Sequence, residues 1–81
     1  MPNLQEELHH LELANEHVAT AEKGVSDMQA NLDTQRASGG QVAALEQSLV
    51  VAREALVQFR THRDLIVTTI SDIRSGRLPS T

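Results

Sequence analysis

The side chains in this chain that could do chemistry are four histidines, His9, His10, His17 and His62, with the carboxylates Glu6, Glu12 and Glu16 close to the first three. Imidazole is the usual metal ligand where cysteine is absent, as it is here, and carboxylates and histidines are also the groups that move protons in catalysis. Their spacing serves neither use. Adjacent histidines on a helix point about 100° apart, and His10 and His17 share a face two turns, roughly 10 Å, apart, too far for one ion. Glu6 with His10, and His17 with His62 across two helices, remain as pairs, and two ligands make a weak site. No metal and no cofactor is expected. Catalysis would need a cleft, a strained nucleophile turn or a glycine-rich phosphate loop at a strand end; none is signalled, so the chain reads as non-enzymatic.

Helices must position these residues. In Pro2-Asn3-Leu4-Gln5-Glu6, Asn3 can cap the third helical amide while Glu6 reaches back, so helix one is expected over about 4–36. Gly24 is a weak spot within it. Ser38-Gly39-Gly40-Gln41 supplies a turn at about 37–40, with Ser38 or Gly40 capping helix two, which is expected over about 41–75. Gly76 suits the left-handed closing position and Pro79 forbids continuation, leaving a frayed tail at 76–81. A short connection between long helices makes them antiparallel neighbours, so residues 1–81 read as one all-α domain, a two-helix hairpin.

The seam of that hairpin is coiled-coil-like. Core-sized residues recur at Val42, Leu45, Leu49, Ala52, Leu56, Phe59, Ile66, Ile70 and Ile73, and a weaker run holds Leu4, Leu8, Leu11, Val18, Val25 and Leu32. Folding about Ser38 and Gly39 pairs positions whose numbers add to about 77, which sets Leu32 against Leu45, Val18 against Phe59 and Leu4 against Ile73. Arg63 alone breaks the run. The same register places Asn15 opposite it or one turn away, with His62 adjacent and Glu12, Glu16 and His17 nearby. A buried guanidinium must be paired, so this polar seam reads as a device fixing register and oligomer state at a cost in stability. A pocket for an anion or a partner side chain is the alternative.

Helix two carries more apolar surface than one seam uses. Val50, Val51, Val57, Leu65 and Val67 lie outside the main stripe and form the candidate partner interface. Two helices bury only one stripe each, near the lower limit of self-sufficient folding, so a homodimeric four-helix bundle is expected, with a helical hetero-partner as competitor.

The formal charge is −4 and unevenly spread: seven acids face Lys23 alone across most of the first helix, whereas Arg53, Arg60, Arg63 and Arg74 balance the second. Cross-hairpin pairing, for example Arg60 with Glu16 and Arg53 with Glu22, is the plain explanation. An acidic chain whose only aromatic residue is Phe59 is poorly suited to nucleic acid, although Arg53, Arg60 and Arg74 share a stripe at multiples of seven. No segment reads as a secretion signal or a membrane span, and the acid-rich polar faces disfavour a membrane surface, so a cytoplasmic protein is the simplest reading.

The segments His17-Val18-Ala19-Thr20-Ala21-Glu22 and His62-Arg63-Asp64-Leu65-Ile66 resemble uncharacterised small bacterial proteins built as two helices around a glycine-containing turn. That resemblance implies the hairpin alone. In size and plan the chain is also similar to the repressor-of-primer hairpin dimer, which implies the alternative function of RNA binding, and to small hairpin subunits of type III secretion chaperones. The leading expectation is a protein-protein interaction module, acting as adaptor, regulator or chaperone-like subunit.

Overall fold

The computed structural model describes residues 3–79, which form two helices packed as a hairpin: α1, Leu4–Ala37, and α2, Ala43–Arg74. Asn3 caps α1 as its sequence implies, its Oδ1 accepting from the backbone N–H of Gln5 at 2.9 Å and of Glu6 at 3.3 Å. Glu6 and Glu7 then set negative charge at the positive end of the helix dipole. No helix among the described residues is long and apolar enough to cross a membrane.

Both helices close with the same device. After α1 the Gly39 N–H reaches the Arg36 carbonyl at 3.2 Å and the Gly40 N–H the Gln35 carbonyl at 2.8 Å; after α2 Gly76 N–H reaches Ile73 at 3.1 Å and Arg77 N–H reaches Asp72 at 2.8 Å. This paired closure needs a left-handed residue, and Gly39 (φ 76°) and Gly76 (φ 81°) supply it. Two expectations change as a result. Gly76–Leu78 is tied down rather than frayed, since Leu78 N–H also bonds the Asp72 carbonyl and Arg77 Nε meets Asp72 Oδ1 at 3.0 Å. Ser80 and Thr81, the rest of the expected tail, lie outside the described residues, as do Met1 and Pro2.

The second change is in the turn. Ser38 and Gly40 do not cap α2, because both serve the end of α1: Ser38 Oγ donates to the Gln35 carbonyl at 3.1 Å, and so does the Gly40 amide. α2 therefore starts at Ala43, with Val42 at its N-cap and no side-chain cap bond. Lengthening the connection moves the centre of the fold by about two residues and every cross-hairpin partner by about four, one helical turn. Arg36 pairs with Glu46 (3.4 Å), Arg53 with Gln29 (2.6 Å) and Arg60 with Glu22 (3.9 Å), in place of the expected Arg53–Glu22 and Arg60–Glu16 contacts. These three pairs step by seven residues in opposite directions along the two helices, the signature of an antiparallel heptad ladder.

The apolar layers obey the same register. Leu32 and Leu49 line one depression, Val25 and Leu56 a second, and Leu11 and Ile70 a third. Ala14, Val18 and Leu32 of α1 are buried with Leu49, Leu56, Ile66, Ile70 and Ile73 of α2, and among the described residues no polar or charged one joins them. Phe59 and Leu8, both read as seam residues, sit at the edge with 39% of each exposed, while Ala14 takes a place in the cluster with Ile66 and Ile70. Strung along helices of 34 and 32 residues, this core makes a rod of 58 × 15 × 15 Å. Its radius of gyration, 17.9 Å, exceeds the roughly 12 Å of a compact domain of this length.

Candidate functional site

Arg63 is the residue from which a polar site would be built, and the structure gives it a local partner. Its Nε donates to Asp64 Oδ1 at 3.1 Å, with 31% of the Arg63 side chain exposed. Asn15, Glu12, Glu16 and His62 are exposed and make no hydrogen bond or ion pair with it. The one-turn change of register explains this. Continuing the rungs Leu32–Leu49 and Val25–Leu56 by one heptad brings Val18 to the level of Arg63, and the next heptad reaches Leu11 and Ile70. Val18 is buried at 3% exposure, so the rung without an apolar residue on α2 is still covered. An arginine does this by laying its methylene stem along the seam and turning its guanidinium out to Asp64.

The histidines remain apart. His10 Nδ1 lies 3.7 Å from Glu7 Oε1 one turn back, and His17 packs its ring against Phe59, with centroids 5.7 Å apart and planes at 51°. His17 therefore meets an aromatic ring rather than His62. Among the described residues no three histidine or carboxylate groups gather in a way that could hold a metal ion. No buried side-chain nitrogen or oxygen among them lacks a hydrogen-bond partner.

The five candidate interface residues do not share one face. Val50 lines a depression with Glu46 and Arg53 on the ladder side; Val51 lines another with Met28, Ala52 and Ala55 on the opposite side; Val67 lies with Leu8 and Arg74 near the open end. Val57 follows Val50 by a heptad and Leu65 follows Val51 by two, so α2 is apolar on both sides of its outer surface. All five are exposed, Leu65 most of all at 63%.

The heptad columns also separate two flanks of the seam that a single apolar stripe conceals. One holds the ladder of Glu22, Gln29 and Arg36 with Arg60, Arg53 and Glu46. The other contains the His17–Phe59 contact and a shallow groove of about 370 Å³ lined by Met28, Ser48, Val51 and Ala55. Its heptad columns, His10 to Asn31 and Ala14 to Gln35 on α1 and Leu45 to Ile73 and Ser48 to Thr69 on α2, contain no Asp, Glu, Lys or Arg, although these make up 22% of the chain; Glu7, one heptad before Ala14, is the charge at the end of the flank. Searches of protein-family models, curated proteins and solved structures returned no match to the chain.

Proposed function

We propose that the chain is a non-enzymatic helix-packing module, a hairpin whose apolar surface is completed by another helical surface, with a second copy forming a four-helix bundle as the favoured case. The observation that carries this is the balance of the core. Among the described residues nine large apolar side chains are exposed, from Leu8 to Val67, against seven buried ones once Ala14 is set aside. Each Val, Leu, Ile or Phe side chain taken from water is worth about 1.5–3 kcal/mol, so the hairpin leaves a large part of its driving force unused. α2 carries exposed apolar side chains outside its seam, at Val50, Val51, Val57, Leu65 and Val67, and such a surface suits packing against another helix.

An adaptor, regulator or chaperone-like subunit would work through this burial alone. The RNA-binding alternative has less to work with, since Arg53 and Arg60 are engaged by Gln29 and Glu22 and a dimer would double a charge of −4. Light scattering on the purified chain, followed by affinity capture from an extract of the cells that make it, tests the proposal. A self-associating chain, or a specific helical protein retained by it, is the expected result. A stable monomer that retains nothing would overturn the reading.

A further inference from the structure

We infer that the second copy docks on the uncharged flank, the one with the His17–Phe59 contact and the Met28–Val51–Ala55 groove, leaving the Arg–Glu–Gln ladder facing solvent. This rests on the helix-packing reading and adds to it the surface and the occupant.

The rod exposes enough surface for one standard interface. The protein exposes 5656 Å², whereas a folded monomer of 8.9 kDa has about 4,800 Å². The excess, about 850 Å², matches the roughly 800 Å² that each partner contributes to a standard interface. A second rod lying alongside the first over its 58 Å length presents a surface of the right shape.

Charge selects the flank and favours a copy over a stranger. In a two-fold dimer each patch meets itself, so any net charge on it faces its own kind. Apart from Glu7 at its end, this flank meets itself without repulsion. Burying the ladder flank would instead desolvate half-exposed guanidinium and carboxylate groups whose present pairings span 2.6 to 3.9 Å.

Shape completes the match. Phe59 stands 39% exposed near the middle of the rod, steadied by the His17 ring. On the same flank, one heptad from His17, Gly24 lies on open surface, where an added Cβ would meet nothing within 4 Å. A projecting ring beside a position without a side chain leaves room for a second helix to come close on this flank.

Gly24→Arg tests the flank without weakening the hairpin, because arginine is a better helix former than glycine and the site is open within one chain. Ala55→Arg repeats the test on α2, and Ser26→Arg places the same charge beside the ladder, where Ser26 lines the depression with Arg53 and Arg60. With helicity checked by circular dichroism, sedimentation should find the native chain and Ser26→Arg dimeric, and Gly24→Arg and Ala55→Arg dissociated, with affinity lowered tenfold or more. Retention of the dimer in both flank variants, or its loss in Ser26→Arg alone, would overturn the assignment of the flank and leave the helix-packing reading standing. A native chain that is monomeric while a captured helical protein is released by Gly24→Arg would overturn the second copy as occupant.

Discussion

Arg53 on α2 donates through Nη2 to Gln29 Oε1 on α1 at 2.6 Å, the middle rung of a ladder that marks how the two helices are aligned. The contact is between half-exposed groups at the edge of the seam. Arg53→Ala is expected to cost about 0.5–1 kcal/mol in urea unfolding, in keeping with a solvent-facing polar pair. In a double-mutant cycle Arg53→Ala should couple with Gln29→Ala and add independently to Glu22→Ala. Coupling to Glu22 instead would restore the shorter turn and the register it implies.

Arg63→Leu should stabilise the hairpin by about 1 kcal/mol, because leucine completes the layer at Val18 and the pair broken, Arg63 with Asp64, is a surface one. The measurement is the urea midpoint with the slope unchanged. A fall in stability would contradict the surface pairing of Arg63 with Asp64 and mean that Arg63 holds a partner across the seam.

The turn predicts that both of its glycines resist alanine, for different reasons. Gly39→Ala forces a side chain into φ 76°, at about 1–2 kcal/mol. Gly40→Ala should also destabilise, since its Cβ would lie 2.6 Å from Gln35 Oε1 and 3.3 Å from the Gln35 carbonyl. The Gln35 side chain can move away and its carbonyl cannot. Thermal unfolding should therefore show both alanines below the native chain, and a neutral Gly39→Ala would contradict the closure described.

The two helices, their caps at Asn3 and Gly76 and their antiparallel arrangement were legible in the sequence because each depends on local chemistry. The register was not. Spacings of three and four in a heptad leave an apolar residue one turn away from every expected partner, so Leu32 fits Leu45 and Leu49 about equally well. What decided between them was the use of Ser38 and Gly40 by α1, which adds residues to the connection. The polar seam around Arg63 was inferred from the shorter register, and with the longer one Asn15, Glu12 and Glu16 fall away from it. The uncharged flank could have been found by reading the heptad columns separately, since His10, His17 and Gly24 form one column and Ser48, Ala55 and His62 another.

Sedimentation equilibrium of the native chain from low micromolar to submillimolar concentration tests self-association most directly. The expected result is a mass approaching twice the 8.9 kDa of the chain as concentration rises, with helicity preserved throughout. A folded species that holds the single-chain mass across the whole range would contradict it.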